Sequence, residues 1–429
     1  MSSKHVDRLS MLPEEIWLHI LSLLPLKFAV QATILSKQWR HTWTLLTNLN
    51  FDGFHPIHDK QRLETFVDGV MKYRITSQVN IFRLCYVYWS VRKSALSNWI
   101  NEAVRLNVRE LDIELIRLEL PLSLFTCKTL TKLRLSNGRY DKSGWECPCP
   151  VNLPCLKILD ITVYGDPFLN AFKLISGSPM LESLSLQILL HSGEEEYIFN
   201  IPTLKRMKLS FHNCSDTNKV VLNVPNLESL YVGGKMFSLF VMEDVSSLVA
   251  ATIKCHSIYG RGDLWDALLK GVGGVKSLSI GKVPYISYIS PPPGIPNMSR
   301  KVKQLVLEDS WKSKEIVQVL ESCPGLEHLH VQKSAEFDWI APKLVPACML
   351  TNLTTIKLKV LGDMKCDVKF LEYMLGNGQV LKRVTIIWKS ICNIRQEIML
   401  CSQQLLKLPR ASRDCEIYVN ETMLRSTGI

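Results

Sequence analysis

Four neighbouring stretches in the middle of the chain repeat one pattern, in which three apolar residues have the spacing L-x-x-L-x-L. They read Leu156-Lys-Ile-Leu-Asp-Ile161, Leu181-Glu-Ser-Leu-Ser-Leu186, Leu204-Lys-Arg-Met-Lys-Leu209 and Leu227-Glu-Ser-Leu-Tyr-Val232. In an extended strand, the last two apolar side chains point to one face and the residue between them points to the other. Each stretch therefore predicts a short β-strand with one buried face.

The same pattern extends in both directions and occurs in thirteen copies. The copies begin at Val79, Val108, Leu130, Leu156, Leu181, Leu204, Leu227, Leu248, Val275, Val302, Leu326, Leu353 and Leu381. Successive copies lie 21 to 29 residues apart, a spacing typical of leucine-rich repeats. Proline has no N–H to donate and so favours the position just before a strand. It lies two residues before five of the copies, at Pro154, Pro179, Pro202, Pro225 and Pro324.

These repeats predict an α/β fold with an irregular leucine-rich-repeat solenoid, a horseshoe that carries a parallel sheet on its concave face. Helical spacing of apolar residues predicts six return helices, at Leu63–Tyr73, Ala95–Leu106, Phe168–Ile175, Leu264–Leu269, Ile316–Leu320 and Val368–Leu375. We expect Trp99, Ile100 and Trp265 to pack against the strands. The Pro291-Pro292-Pro293-Gly294 stretch predicts a long loop.

The first 50 residues follow a different pattern, that of three short helices. Pro13 suits the first turn of a helix, and Pro25 ends it. The apolar positions that predict one face of this helix are Ile16, Ile20, Leu23 and Leu24. A second helix is predicted from about Lys27 to Leu35, and Ser36 is a suitable N-cap for a third. So small a cluster buries little surface by itself, and we expect apolar surface to remain for a partner.

This cluster resembles an F-box, the motif that docks a Skp-type adaptor of cullin–RING ubiquitin ligases. The resemblance rests on Leu12-Pro13, Ile20-Leu21-Ser22, Leu24-Pro25, Ala29-Val30 and Leu35-Ser36-Lys37-Gln38-Trp39-Arg40. Phe28 stands where plant members often carry an acidic residue. The resemblance implies an adaptor-binding set made of Leu12, Pro13, Ile16, Ile20, Leu24, Pro25, Leu35 and Trp39.

The C-terminal end resembles the FBD module, which follows F-box and leucine-rich segments in a large plant family. The matching stretches are Leu353–Leu358, Val368–Leu375, Val380–Ile386, Leu408–Ser412 and Cys415–Ile417. We therefore expect an F-box at 1–50, a leucine-rich-repeat solenoid at 51–350, and an FBD-type cap at 351–429. The order of the three segments is similar to that of the plant F-box/FBD/leucine-rich-repeat family.

Strand alternation predicts which side chains on the sheet a target protein could touch. Acidic residues come first, at Glu110, Asp112 and Glu114, and mostly basic ones follow. The candidate target-binding residues are Lys132, Arg134, Arg206, Lys208, Tyr231, His328 and His330. Such a surface would favour an acidic partner through electrostatic steering and charge-assisted hydrogen bonds.

Composition also limits the classes of function that the chain could have. The net charge of +11 has no run of five like charges, so clustered nucleic-acid contacts are not indicated. The 13 cysteines are odd in number and scattered, as in a reducing compartment, and their spacing does not suit zinc. No apolar run approaches about 18 residues, the length of a membrane helix. We expect a soluble protein of the nucleus or cytoplasm, without metal or cofactor.

No G-x-S-x-G, H-E-x-x-H or G-x-x-x-x-G-K motif is present. The sequence therefore predicts a non-catalytic subunit that recognises substrates for a Skp–cullin–F-box ubiquitin ligase. Its partners would be the Skp-type adaptor, through it a cullin, and an unknown target protein. Two alternatives remain open, a repeat-only protein-binding scaffold and a basic nucleic-acid-binding protein.

Overall fold

The computed structural model describes residues 12–32, 34, 40–52, 60–86, 91–137, 145–147, 150–164, 168–189, 196–212, 219–235, 239–257, 262–281, 300–308, 311, 313–333, 339–361, 368–389, 405 and 407–421. The chain divides into two compact units, Met1–Ser192 (unit 1) and Gly193–Ile429 (unit 2). Leu35, Trp39, the Ser36 cap and Pro291–Gly294 lie outside the described residues.

Unit 1 begins with two helices and continues as a parallel sheet of six strands in chain order. Its elements are α1 (Glu14–Ser22), α2 (Leu26–Ala32), a 3₁₀ helix (Thr42–Leu45), β1 (Asn48–Asn50), α3 (Lys60–Tyr73), β2 (Ile81–Tyr86), α4 (Lys93–Arg105), β3 (Glu110–Leu115), a second 3₁₀ helix (Leu122–Thr126), β4 (Lys132–Asn137), β5 (Ile158–Tyr164), α5 (Phe168–Ser176) and β6 (Ser183–Leu189).

Unit 2 contains two parallel sheets. Its elements are β7 (Glu196–Asn200), β8 (Arg206–His212), β9 (Lys219–Asn223), β10 (Ser229–Lys235), β11 (Leu239–Asp244), β12 (Ala250–Ser257), α6 (Gly262–Val272), β13 (Ser277–Ile280), β14 (Gln304–Leu307), α7 (Ser313–Ser322), β15 (His328–Lys333), α8 (Ala347–Thr351), β16 (Thr355–Leu361), α9 (Val368–Asn377), β17 (Arg383–Lys389) and β18 (Glu416–Glu421). The main sheet pairs β8, β10 and β12 to β18 in that order.

All thirteen predicted strands are present, and the six predicted return helices form within a few residues of their predicted bounds. The middle apolar residues of the repeats pair in register across the sheet, as Leu111 does with Leu133 and Leu133 with Leu159. All three are fully buried, as are Trp99, Ile100 and Trp265. The predicted α/β fold with leucine-rich repeats on a parallel sheet is confirmed.

The prolines have a more specific position than the strand rule predicts. In each of the five copies, proline is the second residue of a turn that the first leucine of the repeat closes. In the first of these turns, the Leu156 N–H donates to the Leu153 carbonyl at 3.2 Å, and the other four bonds measure 3.0 to 3.2 Å. Proline pre-sets the backbone φ that the second turn position requires. The turn therefore aims each strand into the sheet.

The second sheet of unit 2 is a feature that the sequence did not predict. It pairs β7, β9 and β11, which replace the return helices of three successive repeats. These repeats follow the copies that begin at Leu181, Leu204 and Leu227, and their spacings of 23, 23 and 21 residues are short. A spacing of 22 residues likewise precedes Leu130, and there the return is only a 3₁₀ helix. A short return leaves too few residues for a helix and its two connections.

The second helix of the N-terminal cluster is shorter than predicted. Helix α2 ends at Ala32, before the predicted end at Leu35. The Ile34 N–H donates to the Gln31 carbonyl, three residues earlier, so the chain tightens into a turn after the helix. Within the described residues the cluster therefore consists of α1, α2 and the 3₁₀ helix at Thr42–Leu45.

Candidate adaptor-docking and target-binding surfaces

Helix α1 presents apolar side chains on two different faces. Trp17 and Leu21, four residues apart, are buried and form the face that packs within the cluster. Ile16 on this helix and Leu24, two residues after its end, are exposed, at 45% and 39%. Of the positions that the sequence assigned to one apolar face, Ile16, Leu23 and Leu24 are exposed and Ile20 is half-buried, so Trp17 and Leu21 supply the packing within the cluster.

The exposed apolar surface of the cluster is larger than the predicted adaptor set. Leu12 and Pro13 are exposed with Ile16 and Leu24, whereas Ile20 and Pro25 are half-buried. Three further side chains that the predicted adaptor set did not include, Leu23, Phe28 and Ile34, are also exposed. Several large apolar side chains exposed within about 20 residues mark an interaction surface. We define this F-box surface as Leu12, Ile16, Leu23, Leu24, Phe28 and Ile34.

The outward face of the unit 1 sheet carries an ion-pair cluster. The unit 1 charge cluster consists of Asp52, Arg83, Asp112, Glu114, Arg134 and Asp160. Strand register places Arg134 between Asp112 and Asp160, and its guanidinium nitrogens lie 3.4 Å and 3.6 Å from their carboxylate oxygens. Glu114 lies 3.5 Å from the same guanidinium. Four carboxylates thus surround two guanidiniums.

Burial and charge act against each other in this cluster. Burial alone would lower the pKa of Arg134, but Asp112, Glu114 and Asp160 outweigh it and raise that pKa. Burial raises the pKa of the Asp52 carboxyl, although Arg83 opposes the shift. Burial and the nearby Asp112 raise the pKa of the Cys85 thiol to about 12. Arg134 is therefore held as a cation among its carboxylates, and the Cys85 thiol stays protonated.

Two predicted target-binding residues, Lys132 and Arg134, lie on this face. The Lys132 ammonium is 3.2 Å from the Glu110 carboxylate on the neighbouring strand, so both cations have carboxylate partners. The prediction overlooked Arg83 and Asp52, which complete the cluster. Asp52 follows β1, a strand that the repeat pattern does not cover.

The outward face of the main sheet in unit 2 has the opposite balance of charge. The unit 2 basic face consists of Arg206, Lys208, Lys254, Lys357, Lys359 and Arg383. Arg206 and Lys208 lie on β8, next to Tyr231 on β10, and the Lys208 ammonium lies 5.4 Å from the centre of the Tyr231 ring. Of the six cations, Lys254 has a carboxylate partner, since its ammonium lies 2.5 Å from Glu308.

Both predicted histidines lie on β15 of the same sheet. Nδ1 of His328 is 2.7 Å from the Thr355 hydroxyl. His330 is half-buried, and within the described part of the chain its Nε2 has no hydrogen-bond partner. Burial, Lys357 and Lys359 lower the pKa of His330, and only Glu308 opposes them. His330 is therefore held as a neutral ring among cations.

Neither membrane helices nor metal clusters occur in the described residues. Searched over these ranges, the chain has no helix that is both long and apolar enough to cross a membrane. No three histidine, cysteine, aspartate or glutamate side chains lie together in a geometry for a metal ion, again among the residues described.

Comparison with protein-family models finds three domains in the predicted order. An F-box domain matches residues 9–50, the leucine-rich repeats of an FBD-associated F-box protein, At5g56370, match residues 96–250, and an FBD matches residues 341–386. The chain carries an F-box, leucine-rich repeats and an FBD. The F-box match covers both helices of the N-terminal cluster, and the FBD match covers α8, β16 and α9 and extends into β17.

Relatives of similar length share this architecture. The F-box/FBD/LRR-repeat protein At1g78750 of Arabidopsis thaliana is 28% identical, over 97% of this chain and 97% of its own length. The F-box/FBD/LRR-repeat protein At1g13780 and the FBD-associated F-box protein At4g10400, from the same plant, are 26% and 27% identical over at least 96% of each chain. The resemblance to the plant F-box/FBD/leucine-rich-repeat family is confirmed.

Proposed function

We propose that this chain is the substrate-recognition subunit of a Skp–cullin–F-box ubiquitin ligase in the nucleus or cytoplasm. The F-box and the leucine-rich repeats support a role in substrate recognition for a ubiquitin ligase. The F-box implies a Skp-type adaptor as partner, and through it a cullin. The repeats supply the surface for a target protein.

One observation carries the proposal. The F-box helices bury Trp17 and Leu21 yet leave Ile16 and Leu24 exposed on the same helical cluster. Burying one such side chain contributes about 1.5–3 kcal/mol, so a partner that covered several of them would bind with useful affinity. These residues lie inside the segment that the F-box model matches.

The mechanism in this proposal is proximity. A target held by the repeats would be kept near the ubiquitin-charged enzyme, and its lysines would react at a high effective concentration. Such a role requires no catalytic residue in this chain. The F-box and repeat architecture supports this non-catalytic role.

The test is a pull-down of the full chain with a purified Skp-type adaptor. The double variant Ile16→Ala/Leu24→Ala removes exposed apolar surface from the F-box. The matched control, Ile75→Ala/Leu122→Ala, removes two exposed apolar side chains from unit 1 outside the F-box. We expect the F-box variant to lose at least about tenfold in affinity and the control to bind like the wild type.

Circular dichroism would verify that each variant has the wild-type melting temperature. Failure of a well-folded wild-type chain to bind any member of a panel of Skp-type adaptors would overturn the proposal. It would leave a repeat scaffold that binds proteins outside a ligase. Equal loss of binding in the control variant would also contradict it.

A further inference from the structure

We propose that the unit 2 basic face binds a carboxylate-rich segment of the target protein. The inference rests on the proposed function, since it names the chemistry of the target that the repeats would hold. It deepens that function by placing recognition on one sheet of unit 2 and by excluding the charge cluster of unit 1.

The first step is the state of the cations. Within the described ranges, Arg206, Lys208 and Lys357 have no carboxylate within 4 Å. Lys359 donates to the Gln332 amide oxygen at 3.2 Å, which leaves its charge unbalanced. In unit 1, by contrast, carboxylates hold Arg83, Lys132 and Arg134. Unmatched positive charge attracts an acidic partner and costs no existing ion pair.

The second step is the spacing of these cations. One group lies on β8 and the other on β16 and β17. The strands between them carry small hydroxyl side chains such as Thr252 and Ser279, together with Tyr231 and the two histidines, and Glu308 there is paired with Lys254. Six strand spacings separate β8 from β16, or roughly 29 Å at about 4.8 Å each. An extended segment of about nine residues would reach from one group to the other.

The third step separates carboxylates from phosphates. Recognition of a phosphate group favours arginines that converge on one point with paired N–H donors. Arg206 and Arg383 lie on β8 and β17, at opposite sides of the sheet, so they do not converge. The other cations are lysines, whose point charges suit a series of separate carboxylates.

The fourth step concerns nucleic acid. Bases bind single-strand surfaces by stacking on aromatic faces. On this face, Lys208 covers one side of the Tyr231 ring, and the Arg383 guanidinium lies 4.9 Å from the centre of the Tyr418 ring. A cation therefore lies against one face of each ring, which leaves less stacking surface for bases and favours an acidic peptide.

The test uses a fluorescent oligo-glutamate peptide of about twelve residues and the full chain, at low salt of about 50 mM. Binding is measured by fluorescence anisotropy. One variant, Arg206→Glu/Lys208→Glu, reverses the first group of cations, and another, Lys357→Glu/Lys359→Glu, reverses the second. The control, Lys314→Glu/Lys369→Glu, makes the same change of charge on the exposed sides of α7 and α9.

We expect the wild type to bind the peptide, each face variant to bind at least about tenfold more weakly, and the control to change less than about twofold. All variants should keep the wild-type circular dichroism and bind the Skp-type adaptor as the wild type does. Adaptor binding without peptide binding would refute this inference alone. Peptide binding without adaptor binding would refute the ligase role and leave the surface in place.

Three other results would overturn the inference. The first is a weakening in the control equal to that in the face variants, which would mean attraction by overall charge. The second is tighter binding of an oligothymidine of the same length than of the oligo-glutamate peptide, provided that the face variants abolish the oligothymidine binding. The third is tighter binding of a phosphoserine peptide than of oligo-glutamate, again lost in those variants.

Discussion

A nitrogen of the Arg134 guanidinium on β4 lies 3.4 Å from the Asp112 carboxylate on β3. Asp112 is also 3.2 Å from Arg83, so one carboxylate joins two arginines across three successive strands. Strand register decides this contact, because it aligns residues that are 22 positions apart in the chain. A residue that the sequence presents as free to meet a partner is thereby engaged within the sheet.

Replacement of Arg134 should destabilise the sheet of unit 1. Arg134→Met would leave the carboxylates of Asp112, Glu114 and Asp160 close together without their cation. We expect a loss of about 1 kcal/mol in the local free energy of unfolding, since the group is partly exposed. Hydrogen exchange of the β3 and β4 amides measures it.

Lys132→Met is the matched control for this prediction. The Lys132 ammonium pairs with a single carboxylate, Glu110, which is more exposed than Asp112. Loss of this pair should therefore lower the free energy of unfolding clearly less than the loss of Arg134 does. Equal protection of β3 and β4 in the two variants would show that the cluster contributes no more than an isolated surface pair.

Gly234 should not accept a side chain. Its φ of 89° lies in the left-handed region, and a Cβ there would stand 2.1 Å from the Phe211 carbonyl oxygen. Gly234→Ala is expected to lower the free energy of unfolding by about 2 kcal/mol or more. Gly376→Ala in α9 meets no atom within 4 Å and should raise it by up to about 1 kcal/mol. Urea unfolding compares the two variants. An unchanged free energy of unfolding in Gly234→Ala would contradict the predicted backbone strain.

His330 should make stability depend on pH. The pKa of His330 lies below the ordinary value of 6.5, because burial and the charges of Lys357 and Lys359 lower it more than Glu308 raises it. The unfolded chain therefore binds the proton more readily than the folded chain. Stability therefore rises with pH through this range and is lost as the pH falls below about 6.5. His330→Gln should lose less stability than the wild type between about pH 7.5 and pH 5.5. Equal losses in urea unfolding would show that His330 is not responsible.

Cysteine reactivity should follow burial. Burial raises the pKa of Cys255 to about 12, and burial together with Cys348 does the same for Cys323, whereas Cys155 is exposed. Because the thiolate is the nucleophile, iodoacetamide at about pH 8 should modify Cys155 well before the other two. Peptide mass mapping would follow the reaction, and urea should release the protected thiols. Early alkylation of Cys255 in the folded chain would contradict this order.

The sequence predicted the strands well because their signal is local. In Leu156–Ile161 and its counterparts, a few adjacent residues carry both the alternation and the turn that starts the strand. The three return strands at β7, β9 and β11 escaped prediction, although the short repeat spacing and the alternating apolar residues in Glu196–Asn200 were readable signals. In so short a segment, the pattern of apolar residues is compatible with either a strand or a helix, and only packing decides between them.

By itself, the sequence determined the order of the F-box, repeats and FBD, the position of each repeat strand and the residues that those strands bury. Tertiary structure decided which exposed charges are free. Arg134 and Lys208 occupy the same position in the repeat pattern, yet one lies among three carboxylates and the other over a tyrosine ring. Tertiary structure also decided that Trp17 is buried and Ile16 exposed. The physical reason is that periodicity acts between adjacent residues, whereas ion pairs and packing depend on the strand or helix that folding places alongside.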